Sequence, residues 1–320
     1  MNDVVLAIYS DRLFMAAVGV YVLAMALHAA EYAALRSAHE PAAVPVAVGG
    51  SASTEGETGA PPPPDAPVPG RPVRSRADRF GGAAANLVVL AALLQLGSIV
   101  TRGLAADRWP LGNMYEFTSA VCLAAVVAWL VVLRRVPALR AVALFVLLPV
   151  VILLFLAGTV LYARAAPVVP ALRSYWLVVH VTTITVSSGL LLVPGIASLL
   201  YLLRRSSRGG ALVDRLPSAA ALDRLAYRTT IVAFPLYTFG VIAGAIWAEA
   251  AWGRFWGWDP KETVAFVAWV VYAAYLHARA TAGWRSGRAA WINVAGLAVV
   301  LFNLFFINMV VAGLHSYAGL

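Results

Sequence analysis

Eight apolar segments, each long enough to cross a lipid bilayer, constrain this chain more than any other feature. A hydrocarbon core of about 30 Å requires about 20 apolar residues in helical form. Such segments lie near residues 12–34, 82–101, 114–133, 141–163, 176–203, 229–249, 263–280 and 290–312. Because 62% of the residues are hydrophobic and only 12% are charged, a soluble globular enzyme is excluded. Backbone groups in lipid must be paired within their own segment, so the sequence predicts an all-α polytopic membrane protein with about eight transmembrane helices.

The basic residues are distributed unevenly between the two sides of this predicted bundle. If the first segment runs from outside to inside, 17 of the 24 Lys and Arg residues fall on the inner side. Cytoplasmic loops of membrane proteins carry an excess of basic residues. We therefore predict a multi-pass protein of the cytoplasmic membrane with both termini outside. This topology accounts for the net charge of +9, so the charge does not indicate nucleic-acid binding.

One long stretch of the chain, residues 37–80, is polar. It carries half of the 18 prolines and runs such as GGSAST, and it has too few large apolar groups to fold. We predict a first transmembrane helix at 1–36, a disordered cytoplasmic linker at 37–80 and a seven-helix membrane domain at 81–320. The single cysteine, Cys122, excludes a disulfide framework and a CxxC redox pair.

Four of the five histidines form two pairs of matched depth. His28 and His277 lie about 16 and 14 residues into segments entered from outside, or about 21–24 Å from the outer surface at 1.5 Å per residue. We call them the inner pair. His180 lies near the outer start of the fifth segment and His315 follows the outer end of the eighth, so these two form the outer pair. A single buried histidine is as often a hydrogen-bonded core residue as a ligand, but paired imidazoles suit iron, copper or zinc, and haem iron takes two axial ligands.

The loop at 247–263, WAEAAWGRFWGWDPKET, concentrates aromatic side chains on the predicted outer side. Tryptophan favours the membrane–water interface, so one or two of these rings would indicate an aromatic belt. Five large rings separated by glycines favour a flat binding surface for a planar apolar ligand instead. The rings are those of Trp247, Trp252, Phe255, Trp256 and Trp258.

The end of this loop also predicts a helix start. Asp259 occupies the N-cap position, Pro260 suits the first helical position, and Glu262 completes the spacing of a capping box. We therefore interpret Asp259 and Glu262 as mainly structural. Lys261 is the only lysine beside 23 arginines, which suggests a specific role for an ammonium group, such as pairing with a propionate.

These residues carry a resemblance to a known family. The segment WGRFWGWDPKET resembles the tryptophan-rich WWD motif of the haem-handling proteins of cytochrome c maturation. Together with NMYEF at 113–117 and GLHSY at 313–317, it is most similar to the CcsA/ResC branch, called CcsB in actinobacteria. The similarity extends from the first segment to the C-terminus. The family motif often has two adjacent tryptophans where this chain has Phe255 and Trp256.

The resemblance implies a system II cytochrome c synthase subunit, a haem lyase that works with a ResB-type membrane partner. Such a protein takes haem b (iron protoporphyrin IX) across the membrane and presents it outside to the CxxCH motif of apocytochrome c. By position, His28 and His277 match the family's membrane ligands. His180 and His315 match the outer axial ligands, which serve the reaction directly. The loop residues implied to contact the cofactor are Trp252, Phe255, Trp256, Trp258, Asp259 and Lys261.

Two other functions remain open from the residues alone. A di-haem b-type electron-transfer protein would have paired histidines within the same helices, whereas each histidine here lies on a different segment. A transporter of another amphipathic ligand would use the histidines as proton relays. In every case the chain's partners include membrane lipid.

Overall fold

The protein is an α-helical bundle in which ten helices follow one another along the described part of the chain. The computed structural model describes residues 2–35, 75–167, 174–206, 210–281, 284 and 287–315. The helices are α1 (Asn2–Ala34), α2 (Arg76–Ala106), α3 (Met114–Arg135), α4 (Ala143–Thr159), α5 (Tyr175–Arg205), α6 (Gly210–Val213), α7 (Ala219–Trp252), α8 (Pro260–Ala280), α9 (Gly287–Phe302) and α10 (Asn308–Val310). A 3-10 turn (Pro137–Val142) precedes α4, and a π-turn (Asn303–Ile307) joins α9 to α10.

The prediction of eight transmembrane helices is confirmed for the residues that the structure describes. Eight helical stretches are long and apolar enough to cross a membrane, and each coincides with one of the apolar segments of the sequence. Six segments lie wholly within their helices, whereas the fourth and the eighth extend past Thr159 and Val310. Helix α2 begins at Arg76, so the last five residues of the proposed linker are helical. The proposed linker up to residue 74 lies outside the described residues. The sidedness of the termini stays a prediction.

Helix α5 is the centre of the bundle. It packs against α3, α4, α7 and α9, and 72% of its most apolar stretch is buried inside the protein. A large apolar core contains side chains from each of the helices α1 through α5. A smaller one is formed by α5, α7, α8 and α9. Gly189 permits the close approach of α5 to α3, since a Cβ there would lie 2.5 Å from Val121 O and 2.6 Å from Ala124 Cβ.

A buried carboxylate fixes the loop between α2 and α3. Glu116, in the NMYEF segment, is 2% exposed and accepts hydrogen bonds from Arg102 Nε at 2.9 Å and Arg108 Nη1 at 2.7 Å. The backbone N–H of Gly112 donates to the same carboxylate at 2.8 Å. Asn113 caps α3 by accepting from Glu116 N. Charges in an apolar interior persist only when they are compensated in this way, so the loop at 107–113 is held firmly.

We expect Gly189→Ala to destabilise the bundle, because overpacking a close helix contact costs about 1–3 kcal/mol. Gly19→Ala is the matched control, since nothing lies within 4 Å of a Cβ at position 19. Thermal unfolding of the purified protein in detergent should show a lower midpoint for Gly189→Ala and no loss for Gly19→Ala. Equal midpoints for the two variants would contradict the close packing of α3 on α5.

Candidate functional site

The outer pair of histidines lines one cavity. The cavity has a volume of about 90 Å³ and lies among α5, α7, α8 and the π-turn. His180 is in the second turn of α5, and His315 follows α10, 135 positions later in the chain. Aromatic side chains form much of the wall: Phe117, Tyr237, Trp247, Trp252, Phe255 and Trp256.

Trp247 lies close to both imidazoles. Its ring is stacked on His180 with a centroid distance of 6.0 Å and an interplanar angle of 9°. The same indole is 5.9 Å from His315 in an edge arrangement, and Trp252 is 5.1 Å from His315. Trp247 is 1% exposed. The two histidines therefore belong to one buried aromatic cluster.

Two glycines of α7 accommodate His180. The Nδ1–H of His180 donates to Gly240 O at 2.7 Å. A Cβ at Gly244 would lie 2.6 Å from His180 Cε1, so only glycine leaves room for the ring at this separation of α5 and α7. The hydrogen bond fixes the tautomer, which makes Nε2 the nitrogen that a metal would use.

Asp259 holds His315 in the same manner. His315 Nδ1–H donates to Asp259 Oδ1 at 2.8 Å, and the backbone N–H of Leu314 donates to Asp259 Oδ2 at 2.8 Å. Oδ1 also accepts from Lys261 N at 3.1 Å, and Glu262 completes the capping box that the sequence predicts. Asp259 therefore both begins α8 and orients a histidine 56 residues later, a role that spacing alone did not reveal.

The electrostatics favour a neutral His315 beside a charged Asp259. Burial lowers the pKa of His315 to about 4, and the nearby ammonium of Lys261 acts in the same direction. Burial by itself raises the pKa of Asp259, but the hydrogen bonds from Leu314 and His315 outweigh it and keep the pKa below its usual value. A neutral imidazole is the form that ligates a metal.

The structure separates the loop aromatics into two groups. Trp252, Phe255 and Trp256 line the cavity. Trp258 is 67% exposed, has a φ of 57° and packs edge-on against Trp256 at 5.8 Å and near Phe266. In this structure Trp258 lies outside the cavity wall.

Lys261 joins this cavity to a neighbouring one. Its ammonium donates to Asn308 Oδ1, and Asn308 Nδ2 lies 3.2 Å from Met114 Sδ. The neighbouring cavity, of about 100 Å³, is also lined by His180, His315 and Trp247. Its other wall is the loop at 111–114, which connects the NMYEF segment to the site.

His28 of the inner pair lies in a buried polar network. It is 2% exposed, and its Nδ1 is 2.9 Å from Glu31 Oε2. Arg140 donates to Glu31 Oε1 and also to Asp78 at 3.0 Å. His28 Nε2 is buried without a hydrogen-bond partner among the described residues.

His28 and His277 lie on helices with different packing neighbours, and their pairing stays a prediction. His277 lies on an exposed face of α8. Helix α1 packs against α2, α4 and the 3-10 turn, whereas α8 packs against α7, α9 and the π-turn. Any ligand shared by these two histidines would therefore have to bridge helices that do not pack closely on each other.

Sequence reasoning missed four residues that position the histidines. Gly240 and Gly244 have a recognisable signal, a G-x-x-x-G spacing that permits close helix approach. Glu31 follows His28 by three positions, which is one helical turn. Arg140 is 109 residues from Glu31 and carries no local signal.

The fold and the cavity define a class: a polytopic helical membrane protein with a histidine-bearing, aromatic-walled site. The family described as "Cytochrome C assembly protein" matches residues 111–315. Cytochrome c biogenesis protein CcsA of Parasynechococcus marenigrum (strain WH8102) is 38% identical over 258 residues, covering 72% of this chain and 85% of that protein. CcsA of Prochlorococcus marinus (strain MIT 9303) is 38% identical over 262 residues, covering 72% and 82%. The chain belongs to the cytochrome c assembly family, and a role in cytochrome c biogenesis follows from this membership.

We expect Asp259→Ala to release two parts of the site at once. Loss of the cap costs about 0.5–2 kcal/mol, and residues 311–315 lose their anchor. Ser218→Ala is the matched control, because Ser218 caps α7 by accepting from Ala221 N and has no histidine contact. Hydrogen exchange should rise at 311–315 in Asp259→Ala alone.

Conservative variants separate the two roles of Asp259. Asn and Ser both cap a helix, but the short hydroxyl of Ser cannot replace both carboxylate oxygens. Asp259→Ser should restore the start of α8 while residues 311–315 stay mobile in hydrogen exchange. Full protection of residues 311–315 in Asp259→Ser would contradict the anchoring role.

Proposed function

We propose that this protein binds haem b as its substrate, carries it to the outer face of the membrane and presents it to the CxxCH motif of apocytochrome c. It acts as the haem lyase component of a system II cytochrome c synthase, with a ResB-type membrane partner. One observation carries the proposal: His180 and His315 line one aromatic cavity, and each has its Nδ1 engaged by an acceptor.

The ligand set favours haem over a bare metal ion. No group of three or more His, Cys, Asp or Glu side chains suited to a metal occurs in the described parts of the chain. A pair of imidazoles is sufficient for haem iron, because the porphyrin supplies the remaining ligands. Ligand pockets commonly measure about 300–1,000 Å³, whereas the space among these side chains is about 90 Å³, so the proposal requires the aromatic wall to move apart when haem binds.

The cavity wall matches the rest of the haem molecule. A porphyrin is planar, apolar and polarisable, and it packs well against Trp247, Trp252 and Trp256. Its propionates are anionic and need a cation, for which we assign the partly buried Lys261, which lines the cavity and whose ammonium has two donors beyond the one that Asn308 engages. We assign Phe255 to the same wall, whereas the exposed Trp258 lies outside it.

The chemistry is the addition of two cysteine thiols of apocytochrome c to the two vinyl groups of haem. In each addition a C–S bond forms and the thiol hydrogen is transferred to the vinyl carbon, so no external oxidant is needed. His180 and His315 hold the iron until the histidine of CxxCH replaces one of them. The aromatic wall orients the porphyrin edge and excludes water, which is a positioning contribution to the rate.

The inner pair completes the proposal as a holding site during transport. His28 is the better supported ligand, because Glu31 fixes its Nδ1 and its buried Nε2 needs a partner. A carboxylate behind a ligating histidine orients the ring and raises its basicity. His277 lies on the exposed face of α8, so haem would reach it from the side of the bundle.

We expect His180→Ala and His315→Ala to disturb the reduced haem spectrum and to abolish cytochrome c maturation, because each removes an axial ligand. Added imidazole should partly restore maturation by filling the vacant coordination position. His39→Ala is the matched control, since His39 lies in the proposed linker. Wild-type maturation in the double variant would refute the assignment, as would a normal spectrum.

We expect Glu31→Gln to weaken haem binding roughly 10- to 100-fold, the usual effect of removing the partner of a ligating histidine. His28→Ala should lower the haem recovered with the purified protein at least as much. Asp78→Asn is the matched control, because Asp78 contacts the same Arg140 without touching His28. Normal haem content in His28→Ala would show that the inner site has been misassigned.

A further inference from the structure

The side of the bundle carries a second, larger hollow that the proposed haem site does not use. It has a volume of about 1090 Å³ and runs between α3 and α7, with α5 as its floor. Helix α5 packs closely on both α3 and α7, whereas α3 and α7 are not closely packed against each other. The hollow extends from Trp109 and Thr182 at one end to the last residues of α3 at the other.

The walls of this groove are apolar and exposed. Val131 of α3 and Val232 of α7 are 53% and 56% exposed, and small alanines at 120, 124 and 128 widen the space along α3. No Asp, Glu, His, Cys, Met or Tyr lies among the residues that line it. The groove therefore offers room for alkyl chains and no ligand for an iron or another metal.

Three arginines lie at one end of the groove. Arg135 ends α3, and Arg224 and Arg228 lie one turn apart near the start of α7, so their guanidinium groups belong to the same end of the bundle. All three residues are exposed. Within the described ranges none of the three forms an ion pair with a carboxylate, although the neighbouring Asp223 pairs with Arg279.

We propose that this groove binds one anionic phospholipid, with the phosphate of its headgroup held by Arg135, Arg224 and Arg228. Its acyl chains lie along α3 and α7 over the floor that α5 provides. Arginine forms paired hydrogen bonds to phosphate oxygens, and basic pockets between transmembrane helices bind acidic headgroups. The absence of iron ligands in the walls favours a lipid over haem.

Native mass spectrometry of the purified full-length protein tests this site. Delipidated protein in detergent is titrated with phosphatidylglycerol or with phosphatidylcholine of the same chain length. The wild-type protein should retain phosphatidylglycerol at least about tenfold more strongly. The Arg135→Gln, Arg224→Gln, Arg228→Gln triple variant should lose this preference.

A second triple variant provides the matched control. Arg76→Gln, Arg79→Gln and Arg134→Gln remove the same charge from exposed arginines that do not line the groove. This control should keep the wild-type preference. The proposal is overturned if the two triple variants show the same preference for phosphatidylglycerol. If both lose it, the headgroup effect is a general effect of charge; if both keep it, the three groove arginines do not hold the headgroup.

A groove-filling variant tests where the chains lie. Ala128→Leu narrows the groove without changing charge and should weaken retention of both lipids while preserving the preference between them. Unchanged retention in Ala128→Leu would overturn the placement of the chains. If the Arg135→Gln, Arg224→Gln, Arg228→Gln variant loses haem absorbance, the groove binds haem and the choice of a lipid is overturned. If a partner helix displaces the lipid from the wild-type protein, the groove is a protein interface and the choice is overturned as well.

Discussion

Buried carboxylates paired with cations organise this bundle at both ends. Glu116 lies between Arg102 and Arg108, and Glu31 pairs with Arg140 while its other oxygen contacts His28 Nδ1. In an apolar interior an unpaired charge is far more costly than a compensated pair, so these contacts allow few alternative arrangements. The loop beside the outer cavity and the environment of the inner histidine depend on them. The same rule applies at Asp259, whose two oxygens have three donors.

The two faces of α5 are adapted to different tasks. His180 and Ile184 line the cavity, whereas Thr182, Thr185 and Val186 line the groove between α3 and α7. The helix is the most deeply buried of the eight transmembrane stretches that the structure describes. Because one helix forms a wall of both spaces, a change in its tilt would alter both at once.

Hydropathy predicted the helices well, since the length of an apolar run depends only on the thickness of the bilayer. The cap at Asp259 was also predictable, because a capping box is a local pattern. Contacts between distant segments were not. The hydrogen bond from His315 to Asp259 and the close approach of His180 to Gly244 depend on how helices rotate about their axes.

The inner histidines show this limit most clearly. Counting residues gives the depth of His28 and His277 in the membrane, but depth is only one of the coordinates that define a position. The other coordinates depend on which helices pack against α1 and α8, and these two helices have different packing neighbours. Both residues of the outer pair line one cavity, and their role as haem ligands stays a prediction.

The π-turn at Asn303–Ile307 has a consequence for how the end of the chain is oriented. A π-turn holds one more residue than a turn of α-helix, and each residue of an α-helix advances by about 100° around its axis. The extra residue therefore resets the angular phase between α9 and the segment that leads to His315. Asn303 and Leu304 line the aromatic cavity, while Asn308 lines the neighbouring one. Within this short stretch, the angle at which a side chain leaves the helix axis determines which of the two cavities it lines.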